Sequence, residues 1–440
     1  MKFLPGRGAV GALLAVVVLV AAALGAASLP WHAGRAPSAP RVVRAVSGAG
    51  PLQAGAGEAT FDLPDGVPIG GFARLAYGSE GARDPVGARA LVLSSGGCRV
   101  ALASAEILLV PEALEEAVRA RLTDLGLTGL VLGATHTHAG PGGYWEHAVG
   151  ERIATGPYDP RVRDAIAGAI AAAIRKAVEG LGPARASIAE GSAEDLARSR
   201  SDGPGAPEEA RLTVLRVDRP DGAPVAEVAI FAAHATILGK ANRRISGDWP
   251  GRFLAEATRG TRLFFQGALG DQSVEGSTAT PESYGAAFSS RVEALRGSPP
   301  DPAPALAYAE VETGLPPVDP GAAPAWLRRA ARNVASDAFP QAARVEAVRL
   351  GRTVLVAVPA EPVAAVAAAW RRSLPPGTDV VSLADGYLGY VEAPERRAAG
   401  VGESVRQYYG PELAARLGDA VRLAAGAVTR PAPATTARTR

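Results

Sequence analysis

The chain has 440 residues, 48% of them hydrophobic, and a formal net charge of +2. That composition supports a sizeable core and lacks the low-hydrophobicity signature of disorder, and the near-balanced charge argues against a nucleic-acid partner. Cys98 is the only cysteine, so intrachain disulfides and cysteine-rich zinc sites are excluded, and a metal would need His, Asp, Glu or Tyr from a chain with five histidines.

Lys2 and Arg7 precede an uncharged apolar run from Gly8 to Trp31. The run is long enough for the roughly 20 residues of a membrane-spanning helix, and positive charge ahead of it predicts a cytoplasmic N-terminus with the remainder exported. Residues 1–31 therefore read as a signal peptide, with a small-residue cleavage site near Ala27, or as an N-terminal membrane anchor. The rest of the chain is then membrane-anchored, or secreted or periplasmic. Residues 32–50 are rich in Pro, Gly, Ser and Arg and read as a linker, and residues 429–440 as a low-complexity tail. Between them no second linker and no internal repeat is visible, so residues 51–428 form one large domain.

Strands and helices alternate through that domain. Residues 88–95 and 99–110 read as strands around Gly96 and Gly97, and Pro111 opens a helical pattern. Residues 129–136 form a short apolar strand, and Asp159 and Pro160 start an alanine-rich helix reaching Glu179. Residues 211–218 and the run up to His234 flank an Asp221–Gly222 turn as a hairpin. Residues 262–269 and 345–359 are further strands. The alternation predicts an α/β fold with mixed β-sheets flanked by helices.

Polar residues gather at the ends of these strands. In the stretch VLGATHTHAGPGGY, His136 and His138 project to one face if the strand continues, because residues two apart share a face. Taken alone, the pair reads more simply as a polar strand exit than as a metal site. His234 ends a second apolar run, and Asp248 downstream reads as a helix N-cap rather than a ligand. Ser273 sits in a glycine-flanked turn after a third strand, but without the GxSxG pattern of a nucleophile elbow. Glu361 follows a fourth strand, where helix capping is the simplest role, and Tyr387 and Tyr390 close a fifth. Sites in α/β sheets form at strand ends, and two histidines with one carboxylate make a catalytic zinc set that leaves a position open for water.

Taken in order, THTHAGPGG, FAAH…ISGDWPG, GALGDQS, the glutamate after VAVPA, and GYLGYV resemble the neutral/alkaline ceramidase family, and the similarity covers most of residues 54–425. The resemblance implies a zinc-dependent amidase that hydrolyses the N-acyl bond of ceramide, or of a related N-acyl lipid, to a fatty acid and a sphingosine-like base. It implies one zinc ion held by His136, His234, Glu361 and Tyr390, with His138 beside the metal and in contact with the reacting carbonyl. It implies catalytic roles for Ser273, in the GD-x-S motif, and for Arg198, which resembles the arginine of an N-R-S element. Tyr408 resembles a second tyrosine near the site, with Tyr409 as the other candidate. The chain departs from the family pattern at Ala197, Val274 and Glu275, and a longer segment containing AAGVG separates Tyr390 from Tyr408. The family's C-terminal immunoglobulin-like domain has no counterpart before Arg440. These departures leave two alternatives open: a hydrolase of the same fold acting on another amide or ester, or a non-catalytic metal-binding envelope protein.

Overall fold

Three β-sheets carry the fold in the computed structural model, which describes residues 37–72, 78–201, 209–276, 279–319 and 339–430. The expected signal peptide or anchor, residues 1–31, and most of the expected tail lie outside those residues. Among the described residues no helix is long and apolar enough to cross a membrane. One five-stranded sheet is ordered Gly129–Ala134, Cys98–Ala105, Gly87–Ser95, Gln53–Thr60 and Gly182–Pro183. A four-stranded sheet is ordered Thr261–Gln266, Pro224–Phe231, Arg211–Asp218 and Arg185–Ser192. A second five-stranded sheet is ordered Arg41–Gly48, Leu306–Gly314, Ala342–Leu350, Thr353–Ala357 and Thr378–Val381. The expected α/β class with mixed sheets flanked by helices is the observed one.

The sheets share an inner core, in which Leu91 and Leu102 of the first, Val228 and Leu263 of the second, and Tyr308 and Val348 of the third belong to one buried cluster. Each also has helices on its other side. The helix Pro160–Glu179 starts at an Asp159 N-cap, whose side chain accepts from the Arg161 N–H, and has proline in its first turn. Its Ile166, Ile170 and Ile174, four residues apart, are buried with Val92 and Ala103 of the first sheet. Trp249, Phe253 and Phe288 cover Phe231 and Phe264 of the second sheet, and Leu417 and Val421 of the helix Leu413–Thr429 cover Val345 and Val356 of the third. Because both faces of the central strands are covered, strands such as Gly129–Ala134 are buried at every residue.

Three local expectations differ from the structure. Within the expected linker 32–50, Arg41–Gly48 forms an edge strand, antiparallel to Leu306–Gly314. Its side chains are mostly exposed, so the backbone ladder, and not an apolar alternation, holds it. The single strand expected over 345–359 is a hairpin, because Gly351 adopts φ +61° and returns the chain at Leu350 and Thr353. Asp248 is not an N-cap: it has φ +54° inside the start of the helix Asp248–Ala255, and its carboxylate accepts from the N–H groups of Leu238 and Trp249.

Two buried polar devices lock the sheets together. Asp385 and Leu132 exchange two hydrogen bonds: the Leu132 N–H donates to Asp385 Oδ1 at 2.9 Å, and the Asp385 N–H to the Leu132 carbonyl at 3.1 Å. Beside them Arg119 bonds Glu115 at 2.5 Å and Glu346 at 2.7 Å, and Arg344 bonds Glu115 at 2.5 Å. Three carboxylates thus face two guanidiniums, and burial, opposed by Arg119, pushes Glu346 up to about 8 and Asp385 well above the usual carboxylate range. The second device is Gln266, whose amide Nε2 donates to the carbonyls of Thr135 at 2.9 Å and Ala233 at 2.8 Å, while its Oε1 accepts from the Ala233 N–H at 3.2 Å. It therefore joins the residues immediately before His136 and His234.

A carboxyl held protonated only in the folded state loses stability as pH rises from its unfolded pKa toward its folded one. Denaturant titrations are therefore expected to show falling stability between about pH 4 and pH 8, from this carboxyl cluster, with a shallower fall in Asp385→Asn. A slope unchanged by that substitution would show that Asp385 is not among the carboxyls held protonated in the folded state. Gln266→Leu leaves three buried backbone groups unpaired, and an expected loss of about 2–4 kcal/mol is measurable by chemical denaturation; a loss under about 0.5 kcal/mol would show that the bridge is dispensable.

Candidate metal centre and active site

Each sheet contains one parallel pair of strands among the described residues: Cys98–Ala105 with Gly129–Ala134, Pro224–Phe231 with Thr261–Gln266, and Thr353–Ala357 with Thr378–Val381. The carboxyl ends of the three pairs meet. Backbone bonds join them directly, from Ala134 N–H to Leu383 O, Ser382 N–H to Gln266 O, His138 N–H to Ala235 O and Gly270 N–H to Pro362 O. Such ends, where loops leave a rigid sheet, are the usual location of a site in this fold class.

His136 leaves its strand in a left-handed conformation, φ +63°, which costs a non-glycine residue about 1–3 kcal/mol. The strand therefore does not continue through His138 as the two-residue spacing suggests, yet the two rings still meet, with Nε2 to Nε2 at 3.2 Å. The kink is held by the His136 N–H on the Ile107 carbonyl and by Nδ1 at 2.7 Å from the Leu108 carbonyl. His234 is oriented in the same way, its Nδ1 2.8 Å from the Gln272 carbonyl. A ring nitrogen that donates to a carbonyl leaves the other nitrogen bare, so both histidines present an unprotonated Nε2. Burial lowers the pKa of both, that of His234 to about 4 with Arg200 pushing the same way, and keeps them in the neutral form a metal requires.

Glu361 and Tyr390 arrive side by side because Glu361–Pro362 and Tyr390–Val391 pair as a short parallel ladder. Glu361 is thus in an extended segment before the helix Ala364–Arg371, not a cap in its first turn. Its Oε1 accepts from the Tyr387 hydroxyl at 2.8 Å. Its Oε2 is buried without a hydrogen bond, 3.5 Å from Nε2 of His136 and 3.5 Å from Nε2 of His234. Burial raises this carboxyl, and the two imidazoles with the Tyr387 hydroxyl outweigh that and hold it below the usual range. The Tyr390 hydroxyl lies 3.1 Å from His234 Nε2.

These separations test whether a metal fits. Ligands at about 2.0–2.1 Å from a tetrahedral zinc lie roughly 3.3 Å from one another. The donor separations of 3.1 and 3.5 Å match that spacing, and an orphaned buried carboxylate oxygen is what such a site leaves for the ion. The nitrogens of His136, His138 and His234 also lie within 4.8 Å of one another, so the histidine cluster itself can hold a metal. The geometry does not name the ion.

His138 lies beside this centre, and Ser273 and Arg198 pair on the short ladder that begins at Gln272. His138 is half-buried on its open side, with the Phe72 ring 5.0 Å away. Ser273 lies in the strand Gln272–Val274, one residue beyond the carbonyl that orients His234, and faces Arg198 across an antiparallel ladder. The Arg198 side chain is 55% exposed, 3.6 Å from Glu275. Tyr408 packs on Phe339 and on Gly389, whose φ of +83° and close ring contact leave no room for a side chain. Tyr409 is instead buried in the third core, its hydroxyl donating to the Pro340 carbonyl, so Tyr408 is the tyrosine beside the centre. A cleft of about 590 Å³, lined by Trp145, His147, Phe339, Tyr387 and Leu388 with Arg344 and Asp385 among its polar residues, reaches the site at Tyr387.

Sequence reasoning gave Tyr387 only a packing role and did not single out Arg200, whose guanidinium bonds the Tyr390 hydroxyl at 3.1 Å. Arg200 lies only two residues beyond Arg198, and nothing in its spacing separates the half-buried arginine from the exposed one.

The description "Neutral/alkaline non-lysosomal ceramidase, N-terminal" matches residues 55–260. A neutral ceramidase of Mycobacterium tuberculosis is 30% identical over 199 residues, 40% of this chain and 31% of that protein. Neutral ceramidase A of Dictyostelium discoideum is 33% identical over 131 residues, 27% of this chain and 18% of that protein. The aligned stretches therefore span less than a third of these curated relatives. In fold, the chain is similar to the crystal structure of neutral ceramidase from Pseudomonas aeruginosa, with TM-score 0.75, 19% identity, and 87% of this chain and 75% of that one covered. A ceramidase complexed with C2 gives TM-score 0.73 at 18% identity, covering 85% of this chain and 75% of that one. Residues 55–260 thus match the neutral/alkaline non-lysosomal ceramidase N-terminal family, and the fold of most of the chain is similar to that of a neutral ceramidase.

Proposed function

We propose that the chain is a zinc-dependent amidohydrolase of the neutral ceramidase type, cleaving the N-acyl amide bond of ceramide or a related N-acyl lipid to a fatty acid and a sphingosine-like base. The observation that carries this reading is the convergence of Glu361 Oε2, 3.5 Å from the Nε2 of both His136 and His234, with the Tyr390 hydroxyl 3.1 Å from His234 Nε2, which are separations that metal ligands adopt. These four residues would hold the zinc. When bound, it supplies a Lewis acid that polarises the amide carbonyl and brings the pKa of a water toward about 7.

The chain's own groups then bind and orient the amide. His138, on the open side of the centre, offers a donor to the carbonyl oxygen, and Tyr408 faces the same space from the opposite loop. Ser273 and Arg198 are paired across the ladder next to the Gln272 carbonyl that orients His234, and in this reading Ser273 positions substrate or water or passes a proton. The aromatic cleft that joins at Tyr387 suits an apolar acyl chain. Its polar residues Arg344 and Asp385 favour, as the second reading, a hydrolase of the same fold for a more polar amide or ester; turnover of small amides with none of N-acylsphingosine would select it. We also place the protein outside the cytoplasm, on the strength of the charged start and the apolar run from Gly8 to Trp31. N-terminal sequencing of the mature protein distinguishes cleavage near Ala27 from retention as an anchor.

Purified protein is expected to carry one zinc per chain by elemental analysis, with His136→Ala and His234→Ala each removing most of it. Fatty-acid release from N-acylsphingosine should disappear with chelator and return with zinc. Stoichiometric zinc that persists in both histidine variants would sink the site, and zinc without hydrolysis across a broad acyl panel would point to a binding protein. His138→Ala should keep its zinc and lose about 10²–10³ in kcat, the effect of removing one donor to a developing oxyanion; an unchanged kcat would remove His138 from the mechanism.

A further inference from the structure

Tyr390 is held from behind by a cation. Arg200 Nη2 donates to the Tyr390 hydroxyl at 3.1 Å and to the Gly270 carbonyl at 2.8 Å, and its Nε donates to Glu403 Oε1 at 2.8 Å. The Arg200 backbone N–H is itself tied to the Asp271 carbonyl at 2.8 Å. Glu403 is buried and also pairs with Arg406. The guanidinium carbons of Arg200 and Arg406 lie 5.8 Å and 5.7 Å from the centre of the Tyr390 ring. The phenol is therefore fixed at its oxygen by one arginine and at its ring by two.

Glu403 and Arg406 both come from the 3-10 turn Gly402–Arg406, within the stretch between Tyr390 and Tyr408 that is longer than the family pattern. That extra length has a structural use: it brings a buried carboxylate and a second guanidinium onto the tyrosine. Tyr390 needs such support, because it sits on a ladder of only two residues. Groups that hydrogen-bond a metal ligand fix its orientation, and losing one typically weakens metal affinity 10–100-fold.

We infer that Arg200 is a positioning residue of the metal centre: anchored by Glu403 and the Gly270 carbonyl, it holds the Tyr390 phenol oxygen in the ligand set. The inference rests on the proposed reading of the site as a metal centre. Arg198, exposed two residues earlier, has no such contact with Tyr390 among the hydrogen bonds described, so the two arginines are separable by mutation.

The test uses the full chain as wild type, Arg200→Gln, Arg200→Lys and Glu403→Gln. Zinc affinity is read by competition with a chromophoric chelator, the cobalt-substituted site by its visible absorption, and the fold by thermal unfolding of the metal-free proteins. Arg200→Gln is expected to bind zinc about 10–100-fold more weakly, with an altered cobalt spectrum and a metal-free Tm near that of wild type. Arg200→Lys should recover part of the affinity, since an ammonium keeps the charge but cannot reach all three partners as the planar fork does. Glu403→Gln should fall between wild type and Arg200→Gln. In a Tyr390→Phe background, Arg200→Gln should cost nothing further. Wild-type affinity and spectrum in both arginine variants would overturn the inference while leaving the metal centre standing. Should Arg200→Gln fail to fold, Arg200→Lys decides by the same criterion. Wild-type protein without stoichiometric zinc would overturn the metal centre and this role together.

Discussion

The centre depends on one buried carboxamide. Gln266 bonds the carbonyls of Thr135 and Ala233, the residues that precede His136 and His234, and so fixes the distance between two strand ends from different sheets. Its backbone carbonyl accepts from the Ser382 N–H and so brings in the end of the third sheet, whose strands Thr353–Ala357 and Thr378–Val381 lead on to the separate short ladder of Glu361 and Tyr390. A fully buried amide with two donors and one acceptor satisfied has a single workable orientation. Metal ligands tolerate displacements of only a few tenths of an ångström, and this residue supplies that precision from outside the ligand set.

Around that bridge the site concentrates strain and desolvation. His136 is held with φ +63°, and the Oε2 of Glu361 is buried without a hydrogen bond. Neither state is stable by itself: each costs free energy that the surrounding packing must offset. Burial keeps the two imidazoles neutral, while the rings and the Tyr387 hydroxyl keep the glutamate ionised. The outcome is a pocket with two neutral nitrogens, one carboxylate and one phenol, which matches a divalent cation better than it matches any internal partner. Arg200 extends this logic outward, a half-buried cation that holds the phenol and is itself held by the buried Glu403.

The departures from the family pattern fall outside the donor set. Val274 and Glu275 follow Ser273 toward the surface, where Glu275 meets the exposed Arg198. The longer segment after Tyr390 turns back onto that tyrosine and does not disturb its ladder with Glu361. The donor arrangement is thereby left intact by changes that reshape its surroundings, among them the segment that packs on Tyr390.

The sequence by itself determined the α/β class, the presence of the strands that lead to His136, His234 and Gly267, though it ran each two or three residues past its observed end, and the residue types able to hold a metal. Apolar runs ending in His, Glu or Tyr are local signals, and so are the Asp159 N-cap and the Asp221–Gly222 turn. Only the tertiary structure decided the rest. The strand Arg41–Gly48 was invisible because backbone pairing holds it, and its side chains carry no periodicity. The fate of His136 turned on a positive φ that no propensity predicts. Arg198 and Arg200, two residues apart and chemically identical, diverged because Glu403, some two hundred residues away, stands beside only one of them. Tyr408 and Tyr409 separated in the same way, one against Gly389 and the other bonded to the Pro340 carbonyl. Residue type and period are written along the chain, whereas a role that depends on a partner distant in sequence exists only once three sheets have been brought together.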